Sequence, residues 1–324
     1  MQTNTVIEFE QEEYKPQQGE SILDCLLRHG VSPPHSCRSG VCQTCLMRSV
    51  DGKPPETAQK GLKQSLVVQD YFLACSCVPQ DNMQIVLPDT GLFRKTTTVV
   101  DKTWLNDSVI RLRLAVPEGF SYFAGQYLTI FRDQHTGRSY SLASVPDIDD
   151  FLEFHIQIIP GGELSQWIVN DLDTGSEVTI SEAIGDCMYL EKLKQQPMVL
   201  IGTGTGLAPL LGVLRDALHQ GHQQNIRLYY GVKTRADLYL HDQLQEIAAQ
   251  HGNVEYYPCI SREEVASPFR HGRASDLAIE DIGNFSNYSI YLCGNPEMVN
   301  TAKRNIFLAG ASFQNIFADP FVHA

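Results

Sequence analysis

The spacing of hydrophobic residues changes rhythm twice along the chain. In the first stretch, Ile22, Leu23, Leu26 and Leu27 recur at helical spacing behind Ser21, with Gly30 placed to stop the helix. A loop of small and polar residues runs from Pro33 to Cys45; Asp51-Gly52 reads as a hairpin turn and Met83 to Leu87 as a closing strand. These features predict a small α+β domain over residues 1–90. From about Lys95 the period is two. Ile110, Leu112, Leu114 and Val116 alternate with Arg111, Arg113 and Ala115, and Leu152, Phe154, Ile156 and Ile158 alternate with Glu153, His155 and Gln157. With no long helical stripe in between, this predicts an antiparallel β-barrel over residues 95–196. After Pro197 the rhythm changes again. The apolar strand Met198 to Ile201 meets a glycine loop and a helix striped by Leu207, Leu210, Leu211, Leu214 and Leu218. Ile226 to Gly231, Val254 to Ile260 and Ser289 to Cys293 read as strands, with helices from about Asp242 to Gln250 and from Pro296 towards Gly310. Alternating elements predict an α/β domain with a mostly parallel sheet over residues 197–324. The chain is thus expected to be multidomain, with linkers at Pro88 to Lys95 and near Gln196-Pro197.

Composition narrows the function. An apolar fraction of 43% in 324 residues supports real cores, and a formal net charge of −13 argues against a nucleic-acid partner. Met1 to Glu13 is polar and acidic, and no apolar run reaches the ~18 residues of a membrane span, so neither export signal nor membrane anchor is expected and a cytoplasmic location is. Nine cysteines in such a chain point to metal ligands rather than disulfides, and six of them fall before Pro88.

Cys37, Cys42 and Cys45 have the spacing C-x4-C-x2-C, the plant-type pattern for a [2Fe–2S] cluster. The short loop can wrap three thiolates around one side of a cluster, and Ser36, Ser39 and Gly40 let backbone N–H groups approach its sulfides. The fourth ligand comes from farther along. Cys75 and Cys77 would share one face of a strand, so spacing leaves both open.

Two further constellations suit nucleotides. Arg138-Ser139-Tyr140-Ser141 lies between strand-like segments: Arg138 can fork onto a pyrophosphate, Tyr140 can lie against an isoalloxazine ring, and Ser141 can bond its edge. Gly161-Gly162-Glu163-Leu164-Ser165 follows the next strand and opens an apparent helix from Gln166 to Asn170, a setting that suits phosphate. Gly202-Thr203-Gly204-Thr205-Gly206 links a buried strand to a helix whose first turn carries Pro209, again suited to a pyrophosphate, although it is not the G-x-G-x-x-G fingerprint. A second loop, Cys293-Gly294-Asn295-Pro296-Glu297-Met298, has the same strand-to-helix setting.

Together these motifs resemble the ferredoxin–NADP reductase superfamily, in the form of the reductase components of multicomponent oxygenases with an N-terminal, β-grasp-like ferredoxin domain. The resemblance implies electron transfer from NAD(P)H to FAD, then to the [2Fe–2S] cluster, and on to a partner oxygenase, hydroxylase or desaturase. It implies that Leu73-Ala74-Cys75 supplies the fourth cluster ligand, that Cys293 lies near the nicotinamide, and that Phe321 is the aromatic residue near the flavin. It also implies binding roles for Arg138, Tyr140, Ser141, Gly162, Leu164 and Ser165 towards FAD. Gly202, Thr203, Gly204, Gly206, Gly294 and Pro296 are implied towards the nicotinamide nucleotide. Ser261-Arg262 resembles the pair that holds a 2′-phosphate in NADP-dependent relatives, with Lys233, Arg235 and Arg273 as further cations, while oxygenase reductases generally use NADH; the two nucleotides stay open. A reductase for sugar deoxygenation shares this domain order, and a redox sensor is the alternative from another class.

Overall fold

The computed structural model describes residues 5–40, 43–88, 94–133 and 136–321, and the chain forms two compact units, Met1–Gly91 and Leu92–Ala324. The first unit contains β1 (Ile7–Phe9), β2 (Glu12–Tyr14), α1 (Ile22–Arg28), β3 (Leu46–Asp51), α2 (Glu56–Gln59), α3 (Gln64–Val67), β4 (Tyr71–Leu73) and β5 (Met83–Val86). Its strands lie in the order β2-β1-β5-β3-β4, with only β1 and β5 parallel. Ser21 caps α1 by accepting the Asp24 amide at 3.1 Å, and Gly30, at φ +83°, follows its end. A seven-residue helix is unstable alone; Ile22, Leu23 and Leu26 hold it by packing with Ile7, Phe9, Phe72 and Ile85.

Asp51-Gly52 is not a hairpin turn. β3 pairs with β4 and β5, neither of which follows Gly52 directly, because Pro54 and Pro55 lead the chain into α2 and α3 instead. Proline has no N–H to give a returning strand, so the chain cannot pair straight back.

The second unit begins with β6 (Arg94–Trp104), β7 (Val109–Ala115), β8 (Tyr127–Phe131), β9 (Gly137–Ser141), β10 (Phe151–Gln157), α4 (Glu163–Asn170) and β11 (Glu177–Ser181). The antiparallel order is β10-β7-β6-β11-β8-β9, and a bridge between Leu142 and Phe154 joins its ends into a barrel. Ile110, Leu112, Leu114, Leu152, Phe154 and Ile156 fill the interior as their alternation predicts. Glu153 and His155, on the opposite face of β10, are buried too, because Arg113 and Tyr239 cover them.

The unit continues with β12 (Met198–Thr203), α5 (Leu207–His219), β13 (Ile226–Val232), α6 (His241–Gln250), β14 (Val254–Ile260), β15 (Arg270–His271), α7 (Ala274–Ile282), β16 (Ser289–Gly294), α8 (Pro296–Leu308) and β17 (Ile316–Pro320). All pairs in the order β15-β14-β13-β12-β16-β17 are parallel. Successive strand residues feed two cores: Leu200, Leu228 and Tyr291 meet α5 and α6, while Val199, Tyr229 and Ile290 meet α7 and α8. From β12 the sheet grows outward on both sides, to β13 and to β16, and the carboxyl ends of strands at such a switch point form a ligand crevice.

Candidate active site and cofactor cradles

The two glycine loops meet at that switch point. Gly206 packs so closely on the backbone of Cys293 and Gly294 that a Cβ would overlap the Cys293 carbonyl. Gly294, at φ +119°, would place a Cβ 2.5 Å from the Thr203 carbonyl. Only glycine satisfies both demands. The Asn295 amide donates to Thr203 Oγ1 at 3.1 Å, and the Phe321 amide donates to the Gly294 carbonyl at 2.8 Å. Gly202, Thr203, Gly204, Gly206, Cys293, Gly294 and Phe321 are therefore gathered at one end of β12 and β16. Pro296 stands apart in role: it is the first residue of α8, whose amides Glu297 and Met298 are capped by Asn295 Oδ1.

The barrel reaches this crevice through Ser141. Its hydroxyl donates to Asp319 Oδ2 at 2.9 Å, and Asp319 on β17 lies in register with Cys293 on β16. Burial pushes the Asp319 carboxyl up to about 6, although the Ser141 bond works in the other direction. Asp319 is a site residue that sequence reasoning passed over. Its signal was an acid directly after the short apolar run Ile316-Phe317-Ala318. Burial also keeps the Cys293 thiol well above its ordinary range, and its sulfur lies 3.3 Å from that of Cys187.

The remaining flavin-motif residues are spread along the barrel. Tyr140 is half-buried against its core, where burial pushes its hydroxyl up to about 12. Arg138 extends from the same face of β9, exposed, with Nη1 donating to the Gly137 carbonyl. Helix α4 starts at Glu163, three residues before the expected start, so Leu164 and Ser165 belong to its first turn and Gly162 is its N-cap. Ser165 Oγ accepts the Ile159 amide at 3.2 Å and donates to the Gly162 carbonyl at 3.4 Å, so an anion at this helix start would be met by first-turn amides rather than by that hydroxyl. Ser261 and Arg262 follow the end of β14, with the Arg262 amide on the Lys233 carbonyl at 2.9 Å; the Glu263 carboxylate accepts the Arg235 amide at 3.1 Å, an acid among these cations.

In the first unit, Cys45 and Cys75 are neighbours whose thiols share a hydrogen bond. Cys37 Sγ accepts the Ser39 amide at 3.4 Å, and Cys42 lies outside the described residues. Among the described residues no three His, Cys, Asp or Glu side chains converge on one metal-binding point. The loop nevertheless suits an anionic cluster. Arg38 and Gly40 have positive φ on either side of Ser39, an alternation of the kind from which anion-binding nests are made, and a Cβ on Gly40 would come within 2.8 Å of Ser76 Oγ, beside Cys75. Cys75 and Cys77 do not share a strand face. β4 ends at Leu73, and a tight turn over Ala74–Ser76 sends Cys77 into the core while Cys75 stays half-buried beside Cys45.

The chain matches three family models in turn: the 2Fe-2S iron-sulfur cluster binding domain over residues 6–80, the oxidoreductase FAD-binding domain over 96–189 and the oxidoreductase NAD-binding domain over 200–304. It is 32% identical over 311 residues to the ferredoxin–NAD(P)+ reductase component of the naphthalene 1,2-dioxygenase system of Pseudomonas putida, covering 94% of each chain. The chain belongs to this family of reductase components. The reductase subunit of an aromatic O-demethylase from an Amycolatopsis species is also 32% identical, over 94% of this chain and 95% of that one. Among solved structures, a cytochrome P450 reductase from Amycolatopsis superposes with a TM-score of 0.68 at 28% identity, over 98% of this chain and 99% of its own. The reductase is therefore an NAD(P)H-dependent oxidoreductase with FAD and a [2Fe–2S] cluster as cofactors, passing electrons from the nucleotide through the flavin to the cluster. Among its described residues no helix is long and apolar enough to cross a membrane.

Proposed function

We propose that the reductase supplies electrons to an oxygenase, hydroxylase or desaturase component in the cytoplasm, using domains over residues 1–90, 95–196 and 197–324. The observation that carries the reading is the junction of Ser141, Asp319 and Cys293, which brings the flavin motif and the nicotinamide loops to one crevice. When bound, FAD would supply hydride acceptance and one-electron release, and the cluster a low-potential one-electron centre, near −400 mV in plant-type proteins.

The chain's own residues hold and aim these groups. Gly202, Thr203, Gly204, Gly206 and Gly294 let the nucleotide approach the backbone at the ends of β12 and β16, with Pro296 fixing the start of α8. Cys293 and Phe321 would lie beside the bound rings, and Ser141 would turn its hydroxyl to the flavin edge. Arg138, Tyr140 and the α4 start at Gly162, Leu164 and Ser165 bind the rest of FAD, through charge, an aromatic face and first-turn amides. Ser261 and Arg262 meet the adenosine ribose. Cys37, Cys42, Cys45 and Cys75 ligate the cluster, a role supported for Cys75 by its place beside Cys45.

The test is anaerobic titration of the holoprotein with NADH and, in parallel, NADPH, following flavin and cluster absorbance. Stoichiometric bleaching of both centres by one nucleotide is expected and names that nucleotide. A flavin that bleaches while the cluster stays oxidised would overturn the internal path.

A further inference from the structure

Cys187 and Cys293 are 106 residues apart in sequence, yet their sulfurs lie 3.3 Å apart. A disulfide needs about 2.05 Å, so closure requires a movement of little more than an ångström. Both cysteines are buried in one core, with Tyr291 and Phe317, and both sit on tightly held backbone. Cys293 is paired on each side, with Gly202 and with Asp319. Cys187 belongs to the segment leaving the barrel, and its carbonyl lies where a Cβ on Gly125 would have to go.

We propose that Cys187 and Cys293 are a redox switch: oxidation by hydrogen peroxide joins them in a disulfide that pins Cys293 to the barrel-derived segment and stops oxidation of the nicotinamide nucleotide. Burial disfavours the Cys293 thiolate, so the Cys187 sulfur is the one that attacks hydrogen peroxide, breaking the O–O bond and giving a sulfenic acid and water; the Cys293 thiol then displaces the hydroxyl as a second water as the S–S bond forms. Two thiols are oxidised by two electrons, the peroxide is reduced, and both thiol protons leave in the two waters. Bridging acts on the crevice because Cys293 cannot move without pressing on Gly206 and on the Gly294–Thr203 contact. The effect on activity rests on the proposed place of Cys293 at the nicotinamide; formation of the bond does not.

The experiment treats the reduced holoprotein with hydrogen peroxide, alkylates remaining thiols and maps disulfides by mass spectrometry. In parallel it measures nucleotide-driven reduction of a dye that takes electrons from the flavin, so that cluster damage does not enter. The expected result is a peptide pair joined through Cys187 and Cys293, with dye reduction falling by about tenfold and returning with dithiothreitol. Cys187→Ser, and Cys187→Ala as a second variant, should keep their dye reduction within about twofold through the same treatment, since neither can form the bridge. Oxidation of other cysteines with no such pair would overturn the proposal. A pair formed without slowing would overturn the switch, and an unimpaired Cys293→Ser would then trace the failure to the place given to Cys293 rather than to the thiol chemistry.

Discussion

Asp319 brings a carboxyl to a point where burial, and then the charge of Asp186, oppose its ionisation, and Ser141 is the hydroxyl that meets it. With the folded value raised to about 6, the group is neutral on the acid side of that pH and ionised above it. The ionised carboxylate holds the Ser141 proton, as the observed bond does; a protonated carboxyl releases that O–H to donate into the crevice. Single-turnover reduction of the flavin by the preferred nucleotide should therefore be several-fold faster below pH 6 than above it, with an inflection near 6. In Asp319→Asn, neutral at every pH, stopped-flow traces should stay at the faster plateau. An inflection that survives in the variant would assign the titration to another group.

Strand β10 shows at the level of an element what periodicity conveys and what it omits. Its even positions, Leu152, Phe154 and Ile156, face the barrel core as predicted. Its polar odd positions carry no such prediction of burial, yet Arg113 Nε donates to Glu153 Oε2 at 2.7 Å, His155 Nε2 meets Oε1 at 3.1 Å, and His155 Nδ1 meets the Tyr239 hydroxyl at 3.3 Å. A partner arriving from 84 residues away leaves no trace in local alternation. Similar reasons hid other elements: β15 has two residues, β17 interrupts its apolar run with Asp319, and α4 begins on Glu163 rather than on an apolar stripe. The loops with chemistry were legible because glycine and cysteine spacing is itself the constraint. Burial would raise the Glu153 carboxyl, but its bonds to His155 and Arg113 prevail and lower it from 4.5 to about 2. A depressed acid stabilises the fold above its unfolded value and loses that contribution as pH falls from about 4.5 towards 2, a difference of about 3 kcal/mol. Trp104 and Trp167, the chain's two tryptophans, both lie in the barrel half, so urea unfolding followed by their fluorescence reports this unit. Glu153→Gln should be less stable at neutral pH by about 3 kcal/mol, and the gap to the parent should close towards pH 2. A gap that stays constant with pH would show that the lost contribution was packing rather than charge.

At the scale of the whole molecule, the division into two units separates the chemistry as well as the cores. The proposed cluster ligands all precede Gly91, while the flavin and nucleotide residues all follow Leu92, where they share their own hydrophobic clusters. A lesion in one unit should leave the half-reaction of the other intact, and the choice between Cys75 and Cys77, which spacing left open, provides the test. Cys75 is half-buried beside Cys45, whereas Cys77 is fully buried among Phe72, Ile22 and Leu26. Cys75→Ser should remove the cluster absorbance and slow electron delivery to cytochrome c, used as a one-electron probe, by about 100-fold or more. Nucleotide-driven dye reduction, which needs only the second unit, should stay within about twofold of the parent. Cys77→Ser should do the reverse: a hydroxyl in an apolar core costs about 1–3 kcal/mol, read as a lower midpoint in unfolding of the first unit, with cluster absorbance and cytochrome c reduction retained. If Cys77→Ser loses the cluster while remaining folded and Cys75→Ser keeps it, the fourth ligand is Cys77. The turn over Ala74–Ser76 would then have to unwind to bring that sulfur out of the core.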